Sequence, residues 1–452
     1  MTTSVRAFRI GLYEEHLEEG SFLYEQRRVL QVDPEMSWMG VGDFEQRLEA
    51  HIDALMVGGH LALEVSREHS VAPDPGELFM AVCVFCRHGA APLLAEVLRG
   101  LDYDDSHRVR AVLDALKYEL PDSWRAHCLR AVSEGADQLK PLLARVLGYR
   151  RVPASAALLP LLEVASSRTK NEVLWAVGRT REAGAVSAIR PFYDWADRAL
   201  CSTALRTGLR FHDVNAQRRL YELAPTEQCF PLDFALAGSR SAGAILLEQL
   251  SRADPPAEVV TAVGLLGDLS VADQLIRLLT VSPLATAAAE ALHVITGAPL
   301  FEDVFVPDNL TVDELFDKEL RAYRETGELP NRGDGQPFGS RTRRLSVDSN
   351  LWGCWLLENA TRFKAELRYR MGQPCTAEVL LRCLSSETFP KSYRALVGEE
   401  LLVRYGIDLP FEVDMPVAWQ RAVFEQAAVT MAHSTTVGEP GGWHAFGPAP
   451  GF

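Results

Sequence analysis

Three groups of residues in this chain have types and spacing that could do chemistry. The first is split between two segments. His16 lies in YEEHLEEGSFLYEQRR, Tyr13 to Arg28, among five glutamates, and His51 lies in RLEAHIDALMVGGH, Arg47 to His60. Imidazole and carboxylate together can hold zinc or iron, but a metal needs three or four such groups converging. Helical spacing puts His16 and His51 on or near packing faces, places Glu19 one turn from His16, and sends Glu14, Glu15 and Glu18 elsewhere. The residues therefore read as a histidine–carboxylate seam of His16, Glu19 and His51 between two helices, with no metal and no cofactor. The second group is CVFCRH, Cys83 to His88. A zinc site is usually built from two CxxC pairs and no second pair is present, while LFMAVCVFC is an apolar run, so a core helix is expected there.

The third group is a series of arginines, Arg150, Arg151, Arg179, Arg181, Arg210 and Arg240, each placed just after a recurring glycine. Stacked at a constant period they would form a ladder along one edge of the protein. Such a basic strip could recognise the carboxylates of a partner by bidentate pairing. The same residues could instead pair with neighbouring acids or cap the last carbonyls of helices. Two aromatic clusters add to the candidates. Trp352, Trp355 and Phe363 share one helical face, as core residues do. Trp443, His444 and Phe446 stand in a Gly/Pro-rich tail that reads as mobile, where they would dock on a partner or back on the protein.

Familiar catalytic motifs are missing. The chain has no GxSxG elbow, phosphate loop, HExxH or dinucleotide fingerprint, and no His-Glu dipeptide of the kind that holds a di-iron centre in some helical repeats. A net charge of −15 argues against nucleic acid or an anionic membrane as partner. Eight cysteines without a secretion signal read as free thiols of a cytoplasmic protein.

The elements that must position these residues follow from a repeat. Gly148, Gly178, Gly208, Gly238, Gly267 and Gly297 recur every 30 residues with a single slip of one. Each closes an apolar segment, such as LWAVG or HVITG, and most are followed by a second one. The pattern predicts a helix, a left-handed glycine, and a partner helix. Units of this size cannot bury an apolar face alone and must stack, so the expected fold is all-α, an α/α superhelix of the solenoid kind. Residues 1–72 read as a helical hairpin cap, with helices from Ile10 to Val32 and Asp43 to Arg67. Residues 76–300 hold the repeats, and 301–345 an acidic helix, capped by Thr311 and Glu314, followed by a long surface loop. A helical block over 346–437 and the tail 438–452 complete the chain.

The repeats resemble the short HEAT-like repeats of bilin-lyase-type proteins. EEHLEEGSFLYEQR, RLEAHIDAL, repeats ending in ITG and a tail with RYRMGQP also resemble, over nearly the whole chain, an uncharacterised bacterial family whose members occur beside type VI secretion genes. That family implies the fold but supplies no catalytic residues. The expected function is a non-enzymatic protein-binding scaffold, an accessory, adaptor or immunity factor of such a system, with a protein partner and no nucleic acid or membrane. The alternative is a lyase-type enzyme that uses the concave solenoid surface as a ligand pocket.

Overall fold

Ser4 accepts the Ala7 amide on its side chain and so starts the first helix, α1 (Val5–Val32), which ends where Asp33 turns extended before Pro34. The second, α2 (Val41–His69), returns beside it and bends at Gly59, whose φ of 58° interrupts the helix. Both begin earlier than hydrophobic spacing indicates, the first because the Ser4 cap and not an apolar residue sets its first turn. The computed structural model describes residues 4–307, 315–331, 337–432 and 439–443. Among them the architecture is all-α apart from two short strand pairs.

Beyond the hairpin the chain runs as stacked helical repeats. The first helices are Pro75–Arg87, Ser106–Glu119, Lys140–Tyr149, Ser167–Thr180, Arg198–Arg210, Pro231–Ala237, Ala257–Leu266 and Ala285–Thr296, and each packs on the next. Their apolar faces form one continuous core that runs from Leu17 in the cap through Leu174 and Leu205 to Leu292. Burial on both sides explains why segments such as LFMAVCVFC are apolar nearly all round.

The repeat glycines are of three kinds, which corrects the sequence reading, and one of them, Gly238, ends its helix in an extended conformation with φ of −70°. Gly267 and Gly297 do end their helices in the left-handed region, with φ of 79° and 67°. Gly148, Gly178 and Gly208 instead lie inside their helices, and the left-handed residues come afterwards as Arg151, Arg181 and His212. These three glycines are there for contact. A Cβ on Gly148 would stand 2.6 Å from the Ala176 Cα, and one on Gly208 would stand 2.2 Å from the Tyr193 hydroxyl.

The acidic segment is also different from expectation. Phe301–Pro307 and Gly339–Leu345 pair as antiparallel strands, with Glu302 opposite Arg344 and Asp303 opposite Arg343. The second strand, GSRTRRL, has too few apolar residues to announce itself, and the acid–base pairing across the ladder becomes visible only when the two are aligned. The expected cap at Thr311 and Glu314 lies outside the described residues. The helix that follows runs Asp317–Thr326, its start closed by Glu319 accepting the Phe316 amide.

The C-terminal block holds the helices Ser349–Asn359, Ala377–Ser385, Lys391–Tyr405 and Val417–Ala432, with a tight hairpin at Tyr369–Arg370 and Gln373–Pro374. It bridges the molecule. Lys391–Tyr405 packs on the first helices of three successive repeats, and Val417–Ala432 reaches α2 of the cap. No helix among the described residues is long and apolar enough to cross a membrane.

The glycine assignment is testable. Gly148→Ala should destabilise the protein by about 1–3 kcal/mol, since the backbone of Ala176 cannot move away. Gly353→Ala, at a helical site with nothing within 4 Å, should stabilise it by about 0.5–1 kcal/mol. Urea unfolding of both variants checks the contrast, and two changes of the same sign would contradict it.

Candidate functional site

Five of the ladder arginines, Arg150, Arg151, Arg179, Arg181 and Arg210, stand at the C-terminal ends of successive first helices, where the last carbonyls lack intrahelical partners, whereas Arg240 opens the second helix Arg240–Leu250. The carboxylates they meet are the protein's own. Arg150 donates to the carbonyls of Tyr118 at 3.3 Å and Leu120 at 3.2 Å, closing the preceding repeat's helix. Arg151 donates to the Arg179 carbonyl at 3.0 Å and pairs with Asp408 at 3.1 Å. Buried Arg179 pairs with Glu412 at 2.9 Å and Glu399 at 3.2 Å, and Arg181 reaches Asp408 at 3.4 Å. Arg210, also buried, divides its guanidinium between the Gly178 carbonyl at 2.6 Å and Glu399 at 2.7 Å. Arg240 is exposed and touches only the Ala365 carbonyl, at 3.4 Å. The strip expected to face a partner therefore receives the C-terminal block.

The block returns the same chemistry to the later repeats. Arg404 donates to the carbonyls of Ala235 at 2.7 Å and Gly238 at 2.9 Å. Arg368 and Arg370 do so for Leu266 at 2.7 Å and Gly264 at 2.8 Å. All three surround one carboxylate, Glu400, through hydrogen bonds from Arg368 and Arg370 and a 3.4 Å contact with Arg404. Burial opposes ionisation of Glu400, but the guanidiniums of Arg370, Arg368 and Arg404 outweigh it and hold the carboxyl at about 2. Backbone pairing completes the join, with the Tyr369 amide on the Gly267 carbonyl and the Met371 amide on that of Val294. These residues were missed in the sequence. The available signal was an adjacent pair of acids, Glu399 and Glu400, inside the apolar stretch ALVGEELLV, where an unpaired charge would not be tolerated.

His16 and His51 do meet between α1 and α2, as the seam requires, but their partner is each other. The Nδ1 atoms stand 3.0 Å apart with the rings at 69°. Glu19 is exposed and makes no hydrogen bond to either ring, so the carboxylate part of the expected seam is corrected. One Nδ1 must donate and the other accept, and an imidazole pair needs no carboxylate for that. Burial lowers the pKa of His51, helped by the charges of His16 and Arg47 and opposed by Glu19 and Glu15. Among the described residues no three or more His, Cys, Asp or Glu side chains are placed to hold a metal ion. Cys83 and Cys86 are buried in the core helix, where burial raises both thiols.

The aromatic clusters separate as follows. Trp352 is fully buried and donates from Nε1 to the Ser346 carbonyl at 2.7 Å, while half-buried Trp355 packs on Phe363, which lies beyond the end of the helix and so does not share its face as expected. Trp443 turns back onto the block, donating to the Glu366 carbonyl at 2.8 Å, and the neighbouring Gly441 accepts the Arg368 amide. Phe446 and His444 lie outside the described residues.

Two features remain open to solvent. The outer face of α1 carries Val5, Phe8, Leu12, Phe22 and Val29, all exposed, on a stripe that Glu15, Glu19 and Gln26 complete at spacings of three and four. A cavity of about 530 Å³ lies where the cap, the repeats and the C-terminal block meet. Comparison with known protein families and with characterised proteins finds nothing that matches this chain.

Two predictions follow from the ion network and the histidine pair. Glu400→Gln leaves three buried guanidiniums without a counter-charge and should cost about 3–5 kcal/mol at neutral pH in denaturant unfolding. Because the folded pKa lies below the ordinary value of 4.5, this stabilisation is present above that value and fades as pH falls toward 2. His51 behaves differently. Its folded pKa lies below the ordinary 6.5, so the unfolded chain takes up the proton first and stability falls as pH drops through that ordinary value. His51→Gln should reduce that fall, and an undiminished fall would exclude the pair as its source.

Proposed function

We propose that the protein is a non-enzymatic protein-binding scaffold, an adaptor, accessory or immunity factor of a bacterial type VI secretion system, and that α1 is its docking face. The observation that carries this reading is the exposed stripe of α1. A terminal helix of a stacked-repeat protein needs a polar outer face for solubility, yet Phe8 is 66% exposed and Phe22 56% exposed here. Residues at alternating spacings of three and four form a seam for a second helix. Val5, Phe8 and Leu12 supply one apolar end of it, Phe22 and Val29 the other, and Glu15 and Glu19 lie between. A partner of matching chemistry is an amphipathic helix with apolar residues at both ends and lysine or arginine in the middle. The resemblance to proteins found beside type VI secretion genes supports the cellular setting.

The rest of the fold supports a scaffold's rigidity. The C-terminal block braces cap and repeats together, so α1 is presented on a fixed support and loses little freedom on binding. The test is affinity capture from the native host with mass spectrometry, using the wild type and the double variant Phe8→Ser, Phe22→Ser. A partner captured by the wild type and reduced at least about tenfold by the variant, with its circular dichroism unchanged, is the expected result. The same set of proteins from both, or self-association alone through this face, would overturn the reading.

A further inference from the structure

We propose that the open cavity between the cap, the repeats and the C-terminal block is a binding site for a small oxyanion, a carboxylate or a phosphate, received by the guanidinium of Arg394. The argument begins with a comparison of buried arginines. Arg27, Arg179, Arg210, Arg368, Arg370 and Arg404 are buried and each has a carboxylate oxygen within 3.4 Å, on Glu45, Glu412, Glu399 or Glu400. Arg394 is equally buried, at 2% exposure, and pairs with no carboxylate among the described residues. Its Nη2 donates to the Leu384 carbonyl at 3.0 Å and to Gln420 at 2.9 Å, while its Nε has no acceptor. Trp38 covers it at 4.0 Å from the ring centroid, and Phe411 and Phe424 stand further out, so its surroundings are apolar. A desolvated cation in such a place calls for an anion. Burial alone, with no opposing acid, pulls this guanidinium down to about 9.

The cavity beside Arg394 offers no anion of its own. Four carboxylates line it, and each is already engaged: Glu45 by Arg27 at 2.7 Å, Glu172 by Arg145 at 2.5 Å, Glu412 by Arg179 at 2.9 Å and Asp414 by Lys117 at 2.7 Å. Lys391, one turn before Arg394 on the same helix, satisfies its ammonium with the carbonyls of Leu30, Gln31 and Asp33. Lysine and arginine thus put two positive charges on one helix, and neither forms an ion pair among the described residues. A repeat helix that also lines the cavity, Lys140–Tyr149, adds a second group without a hydrogen-bond partner among the described residues, the buried hydroxyl of Tyr149. A guanidinium and an unpartnered hydroxyl lining a space of about 530 Å³ fit a small polar ligand. Both faces of Trp175 are already covered, by Arg145 at 4.0 Å and Arg179 at 4.2 Å, so the site recognises charge and hydrogen bonding and not a stacked ring.

The test uses the full chain in a buffer free of phosphate and carboxylate, with inorganic phosphate and malonate as separate probes. Calorimetry and thermal unfolding should show saturable binding of at least one probe, and the probe that binds decides between phosphate and carboxylate. Arg394→Met should abolish binding. Since a change at a fully buried site can prevent folding, Tyr149→Phe provides the second arm. It removes a hydroxyl with no partner in the free protein, so folding should be retained while affinity drops about tenfold. No saturable binding of either probe beyond that of sodium chloride at equal ionic strength would overturn the proposal. Wild-type affinity in either variant, once folded, would do the same.

Discussion

The free carbonyls at the C-terminal ends of the stacked helices are the constraint around which this protein is organised. Every helix leaves its last carbonyls without an internal partner, and stacking aligns these ends along one edge. Water could satisfy them, but the chain covers that edge with its own C-terminal block. Guanidiniums do the work from both sides, Arg150 and Arg210 from the repeats and Arg368, Arg370 and Arg404 from the block. An arginine can donate to a carbonyl and a carboxylate at once because its donors are spread over a planar fork. That is why Glu399 and Glu400 can be buried: each sits among arginines that also serve the backbone.

A network of this sort couples distant parts of the sequence. Glu399 binds Arg179 and Arg210 from two repeats, and Glu400 gathers the hairpin and its own helix. Asp414 reaches Lys117 near the start of the stack, and the adjoining backbone accepts Arg27 of the cap. Removing one carboxylate would therefore loosen contacts between the cap, several repeats and the block together. Within this arrangement Arg394 stands out because it is the exception to the rule that its neighbours obey.

Much of the scaffold could be read along the chain. The helical hairpin, the 30-residue repeat and the C-terminal helices depend on local spacing, which stacking preserves. The strand pair could not be read, because Glu302 and Asp303 acquire meaning only opposite Arg344 and Arg343. The repeat glycines were legible as a series but not in kind. Whether a glycine ends a helix or admits a neighbour depends on what stands beside it, as Ala176 stands beside Gly148. His16 and His51 were placed on facing helices correctly, yet their mutual hydrogen bond was hidden, since helical phase fixes a face to within one turn and not an atom.

What the sequence alone determined is the helical repeat and the residues along its edge, because periodicity of apolar side chains dictates both. Tertiary structure decided what those residues do. Each ladder arginine had two possible uses, an outside partner or the protein's own carbonyls and acids, and nothing near it in the chain distinguishes them. For Arg151, Arg179, Arg181 and Arg210 the choice is made by Asp408, Glu412 and Glu399, roughly 200 residues away, delivered by the helix Lys391–Tyr405 and the turn beyond it. Electrostatic pairing acts through space, and only the folded chain specifies which charges are near.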